Sequence, residues 1–175
     1  MGKENEMIHW LRKTLVVLGA IALALVWVLL SAQPAFAEEG KFTGYTNAQL
    51  ANQDFSNQDL SGGNFVSSEM RGANLSGANL TNAMFTKGNL LGANLSGANL
   101  AWALVDRVTL YKTNLTNVNF TGATLSNSIF EEADITGADF TDAILDRYTI
   151  TQLCKRAKGI HPVTGIATRD SLGCR

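Results

Sequence analysis

The sequence predicts an all-β solenoid, and three observations carry that prediction. Every fifth residue from 50 to 150 is apolar without a break, from Leu50, Phe55, Leu60 and Phe65 through to Phe140, Leu145 and Ile150. The nonapeptide GANLSGANL stands at residues 72–80 and again at 92–100. Two residues after many of the large apolar positions comes Gly (62, 72, 77, 92, 97, 122, 137) or Asn (82, 117, 127), residue types that tolerate a positive φ at a turn. A spacing of five suits neither regular element. Five residues advance about 500° around an α-helix, which scatters apolar side chains over every face. In one continuous strand, an odd spacing sends successive side chains to opposite sides. The chain must therefore turn once per repeat, so that each short extended piece points its large residue the same way.

Ahead of the repeats, Lys3, Arg12 and Lys13 precede an apolar run from Leu15 to Leu30, followed by Ser31, Gln33, Pro34 and Ala35-Phe36-Ala37. A basic start, an apolar core and small residues two apart are the layout of an export signal, with the cut expected between Ala37 and Glu38. The alternative is an uncleaved anchor, because the run approaches the ~17–25 residues that cross a bilayer as a helix. Both readings put residues 38–175 outside the cytoplasm. Arg12-Lys13 in place of an Arg pair favours the general secretory route. Membrane contact is expected only through this N-terminal signal or anchor.

Within the repeats, Ala recurs two residues before the large apolar one (73, 78, 83, 93, 98, 103, 123, 133, 138, 143), as though a second inward position had little room. Between the two sits Asn or Asp, as at 54, 59, 64, 74, 79, 114 and 139, a position expected to face water. This A-N-L-S-G and A-D-F-T-D pattern resembles the pentapeptide-repeat family over residues 45–150. The resemblance implies a right-handed quadrilateral β-helix, with one pentapeptide per side and the two GANLSGANL copies directly over one another. Residues 45–150 then make about five coils, a rod of roughly 25 Å at the ~4.8 Å spacing of adjacent strands. Phe65 is expected to stack on Phe85, and Phe120 on Phe140.

An open coil end exposes unpaired backbone groups, so a solenoid needs closing structure at both ends. Residues 38–49 are the candidate at the first end. At the other, Thr151 is expected to begin a short helix running to Lys158 with Gly159 as its stop, and Thr168 a second one near Ser171. Cys154 and Cys174 are the only cysteines, both in this tail. A disulfide is the natural inference and a redox pair under thiol control the alternative. A metal site is less favoured, since His161 is the one imidazole near the two thiols. The stretch LCKRAKGIHPVTGIATRDSLGC, residues 153–174, resembles the C-terminal segment of pentapeptide-repeat proteins from thylakoid lumens of chloroplasts and cyanobacteria. That resemblance implies a small α-helical cap closed by a Cys154–Cys174 disulfide. The expected domains are thus 1–37 signal peptide or anchor, 38–150 β-helix and 151–175 disulfide-closed cap, in an exported protein of a thylakoid lumen or a periplasm.

No catalytic constellation is legible. His9 lies in the signal and His161 in the tail, while Asp54, Asp59, Asp134 and Asp139 recur because the repeat wants a polar residue there. A non-enzymatic protein without cofactor or metal is expected. Asn74-Leu75-Ser76, Asn79-Leu80-Thr81 and Asn114-Leu115-Thr116 match the glycosylation acceptor pattern as by-products of the repeat. Folding the chain by twenty puts Asn64, Met84, Leu104, Thr124 and Ile144 in one outward column, with Trp102 at the corner before Leu104. An exposed apolar patch of this kind marks a binding surface. Lys87, Arg107 and Arg147 fall in a parallel column at the next corner, so the face is expected to receive an acidic or amphipathic protein partner, unless the tail or a second copy of the chain covers it. Residues 38–175 carry thirteen acidic and eleven basic side chains, too balanced for nucleic acid as a partner or for the DNA imitation practised by some family members. Two functions follow: a scaffold or protein-protein interaction module, or a redox-responsive factor controlled through Cys154–Cys174.

Overall fold

A computed structural model describes residues 44–175. The expected signal or anchor, residues 1–37, lies outside the described residues. Phe42–Arg175 forms a compact unit by itself.

Parallel bridges join residues twenty apart along four ladders, running from Gly44 to Ile144, Gln49 to Ile129, Asp54 to Asp134 and Asp59 to Asp139. Each side of the coil contributes one bridging residue before the chain turns, so the sides stay too short for extended strands. One repeat, residues 75–79, shows why the pattern is self-sufficient. Leu75 N donates to Asn94 O on the following coil, Gly77 N to Ser96 O, and Asn79 N back to Gln58 O on the preceding one. Ala78 N closes the turn on Leu75 O, with Gly77 at φ 65°, as a type II turn requires. The remaining donor, Ser76 N, reaches Asn74 Oδ1 at 3.2 Å. All five N–H groups are met, as buried backbone demands.

That accounting corrects the expectation that the Asn position simply faces water. Asn74, Asn79, Asn94 and Asn99 are half-buried. Their Oδ1 atoms accept the N–H two residues on. Their Nδ2 atoms donate to side chains on the previous coil, as in Asn74 to Asp54 Oδ1 at 3.0 Å and Asn79 to Asp59 Oδ1 at 2.9 Å. The residue is Asn because it supplies a donor and an acceptor from one short side chain.

Inside the four ladders the large residues stack. Phe65 and Phe85 are fully buried with ring centroids 4.8 Å apart and planes within 8°. Phe120 and Phe140 repeat the arrangement at 5.2 Å, and Tyr45 extends the first stack over Phe65 at 5.1 Å. The second inward position is as cramped as its Ala content suggests: a Cβ added at Gly63 would lie 2.7 Å from the Phe65 ring. At the first end, residues 44–49 are already coil, since Gly44 and Gln49 bridge Asn64 and Glu69. Gln53 and Gln58 take the small inward position there and are exposed, presenting amides where later coils bury Ala.

After Ile144 the chain leaves the ladder. The expected helix from Thr151 to Lys158 is displaced: helix α1 spans Arg147–Cys154 and is capped by Asp146, whose Oδ1 accepts from Thr149 N at 2.9 Å. Thr151 turns its hydroxyl back to Arg147 O at 2.9 Å. Ile150 belongs to this helix, one turn before buried Leu153, so the last beat of the fivefold pattern is helical. With no further coil to supply ladder partners, a capping carboxylate wins over an unpaired extended piece. Helix α2 is Thr168–Ser171; Ala167 is its N-cap, and the Thr168 hydroxyl is buried without a partner instead of capping. Leu153, Ala157 and Leu172 join the core. Gly137 N and Phe140 N, which would reach forward to a following coil, are met by Lys158 O at 2.9 Å and Ser171 Oγ at 3.0 Å.

Candidate interaction face

The outward column expected from the sequence is a ladder: Asn64, Met84, Leu104, Thr124 and Ile144 bridge in that order. Its exposed members are Leu104 at 38% and Ile144 at 59%, while Met84 is half-buried. Trp102 stands at the adjoining corner, 62% exposed, and its ring lies flat over the next coil, where a Cβ at Gly122 would collide with it. The glycine is what lets the indole lie down. Trp102 holds φ at 61°, a left-handed conformation disfavoured for a bulky side chain.

Lys87 and Arg107 line the next corner, again at positive φ. Arg107 Nε pairs with Asp106 Oδ2 at 2.7 Å, and Asn127 Nδ2 reaches Asp106 Oδ1 from the coil beyond at 3.3 Å. The hydrogen bond from Arg107 is the first reason the Asp106 carboxyl sits below its ordinary pKa. The basic stripe is therefore partly neutralised from within. Arg147 does not extend it: that residue opens α1 instead of forming a corner. The same helix adds exposed Tyr148, which has no signal in the fivefold pattern.

Cys154 and Cys174 are joined in a disulfide with Cα atoms 5.6 Å apart, tying the end of α1 to the residues after α2. Among the described residues, no group of three or more His, Cys, Asp or Glu could hold a metal ion. No described helix is long and apolar enough to cross a membrane.

Between these helices, residues 159–168 form a hairpin that lies against the last coil, with Ile160 bridging Ala167 and Thr168 N donating to Gly159 O. It covers Asp139, which was expected in a solvated row and is instead buried. Burial by itself would raise the pKa of Asp139. Hydrogen bonds from Thr141 and Thr164, with His161 close by, outweigh it and hold the carboxyl below its ordinary value of 3.8. His161 is buried too, and its Nδ1 faces the N–H groups of Val163 and Thr164 at 3.3 and 3.1 Å.

A lowered folded-state pKa gives stability that is fully present above the unfolded value and lost as pH falls through the folded one. The melting temperature of the wild type relative to Asp139→Asn is therefore expected to be flat above about pH 5 and to shrink below about pH 4. A gap that widens on acidification would show the opposite sign and refute the assignment.

Single-residue ladders on four sides, with Leu104 and Ile144 exposed along one of them, define a coiled repeat protein. The sequence matches the family described as pentapeptide repeats over residues 46–77, 64–100, 73–110 and 113–147. The chain belongs to the pentapeptide-repeat family, whose solved members make it a right-handed β-helix solenoid. It is similar to a pentapeptide repeat protein from the Arabidopsis thaliana thylakoid lumen, at 39% identity and a TM-score of 0.72, covering 83% of this chain and 99% of that one. It is also similar to a pentapeptide repeat protein from the cyanobacterium Cyanothece 51142, at 29% identity and a TM-score of 0.41, covering 65% of this chain and 71% of that one. The search of curated proteins gives no significant match.

Proposed function

We propose that the protein is a non-enzymatic interaction module of an exported, oxidising space, a thylakoid lumen or a periplasm, built as about five coils closed by the helical segment after residue 146. The observation that carries the binding role is the exposed Trp102–Leu104–Ile144 surface. Lys87, Trp102 and Arg107 stand at left-handed corners, as do Ser67, Lys112, Glu132 and Asp142, and Trp102 is the one aromatic side chain among them. Export is supported by the layout of residues 3–37, by a disulfide that needs an oxidising compartment and by the likeness to a lumenal protein. Closure of the last coil is supported by the partners that Lys158 and Ser171 give to Gly137 N and Phe140 N.

The partner that fits is an amphipathic protein segment, its apolar side on Leu104 and Ile144 and its acidic residues toward Lys87. Trp102→Ala combined with Leu104→Asn is expected to leave the fold intact, since both side chains are exposed and Asn stands at Asn64 in the same ladder and is the commonest residue at the corresponding position of the other ladders. The same double variant is expected to lose at least tenfold in affinity for a partner captured from the protein's own compartment, because a buried interface Trp alone is worth about 2 kcal/mol or more. Undiminished binding by the double variant would count against the face. A second reading, redox control through Cys154–Cys174, is favoured by the half-exposed position of both cysteines.

A further inference from the structure

The hairpin 159–168 exposes apolar side chains that no part of the described structure covers. Val163 at its tip is 87% exposed and Ile160 is 65% exposed, with Pro162 and Ile166 beside them. This is not a loose tail. Ile160 bridges Ala167, His161 N donates to Ile166 O at 2.9 Å, and Gly165 N donates to His161 O at 2.9 Å. His161 and Thr168 are buried against the coil, so strand alternation turns Lys158 and Ile160 together to the outer face.

The charge around the hairpin has one sign. From residue 151 onward Lys155, Arg156, Lys158, Arg169 and Arg175 stand against a single acidic side chain, Asp170. Lys155, Lys158 and Arg169 are exposed, with Arg169 Nη1 also donating to Cys154 O at 3.1 Å, while the half-buried Arg156 commits its guanidinium to Phe130 O at 2.6 Å. The coils differ: from residue 44 to 146 ten acidic side chains outnumber Arg71, Lys87, Arg107 and Lys112. A hydrogen-bonded aliphatic hairpin flanked in the chain by cations, on an otherwise acidic body, has the chemistry of an interfacial anchor for anionic lipid. The aliphatic side chains enter the headgroup boundary and the cations meet the headgroups.

We propose that the hairpin 159–168, with Lys155, Lys158 and Arg169, docks the C-terminal end of the protein onto an anionic membrane surface. This is a contact separate from any made by residues 1–37 and from the Trp102 face. The test uses the unit Phe42–Arg175, compact by itself, so that the N-terminal apolar run cannot confuse the result. It is floated with vesicles of phosphatidylcholine alone and of phosphatidylcholine mixed with phosphatidylglycerol, at low and at high salt. The expected result is binding to the mixed vesicles only, weakened by salt. Lys158→Gln should lower the partition about fivefold, the effect of one cation at an anionic surface. Val163→Asp, a change at an exposed tip, should abolish it, and Leu104→Asn should leave it unaltered. Binding to both vesicle types alike, no binding to either, or binding that survives Val163→Asp would overturn the proposal. So would a concentration-dependent dimer that Val163→Asp dissolves in the absence of lipid binding, which would assign the hairpin to a second copy of the chain.

Discussion

Phe85→Ala is expected to destabilise the protein by about 3–5 kcal/mol, the usual cost of emptying a fully buried aromatic site. The ring is completely buried and is the last of its stack, lying nearly parallel to Phe65 at 4.8 Å, so its removal opens a cavity between Phe65 and Val105 inside the rod. Little can move in to fill it. A solenoid coil is fixed by ladder bonds on both sides, and Phe85 N and Asn89 N already hold Leu104 O and Ser68 O at 2.8 and 2.9 Å. The neighbouring backbone is close as well: a Cβ at Gly88 would meet Phe85 O at 2.9 Å. Coils depend on their nearest neighbours, so the loss should spread to the packing of Phe65 and Val105 above and below. Phe55→Ala is the internal control. Phe55 lies on the first coil at 8% exposure with Tyr45 at its edge, and its truncation should cost visibly less. Urea unfolding of the two variants decides the matter; equal losses would mean that stacking through the middle of the rod adds nothing beyond burial.

The same stack shows what the sequence makes legible. A period of five that excludes both helix and continuous strand leaves few alternatives, so the inward residues, the stacked pairs and the column through Met84, Leu104 and Ile144 can be read before any coordinates. Each is a property of one repeat multiplied. What escapes is whatever depends on the chain ceasing to repeat. Asp146 looks like another corner residue, but no coil lies beyond it to pair with, and its carboxylate caps α1 instead. Arg147 therefore leaves the basic column it was expected to join. Asp139 has the same local sequence as its exposed relatives, and only the hairpin lying over it turns it into a buried carboxylate. For the hairpin the hint is aliphatics scattered after the register breaks at Lys155, with Ile160 still falling on it and Val163 and Ile166 off it, and that does not distinguish a buried segment from an exposed tip.

Replacing Cys154 and Cys174 by Ser is expected to cost about 3 kcal/mol by the chain-entropy estimate for a loop of this length, since the bond closes a sequence separation of 20. The loss should be local. The coils are held by ladders that do not involve the tail, whereas α1, the hairpin and α2 contribute few buried side chains of their own, chiefly Leu153, Ala157 and Leu172. Without the bond, α2 is hydrogen-bonded to the last coil by Phe140 N to Ser171 Oγ and to the end of α1 by Arg169 Nη1 to Cys154 O. Amide exchange is the sensitive readout. Gly137 N and Phe140 N, whose acceptors belong to the tail, should lose about a hundredfold in protection, the exchange equivalent of that free energy. Leu95 N, bonded to Asn114 O in the middle of the rod, should change little. The two readings of the bond then separate on its potential. A structural bond lies below about −300 mV, while one that a thiol pool opens and closes lies above it and would release the hairpin along with the tail. Redox state would in that case govern display of Val163 and Lys158, and vesicle binding by the reduced protein would fall even though its coils stay folded.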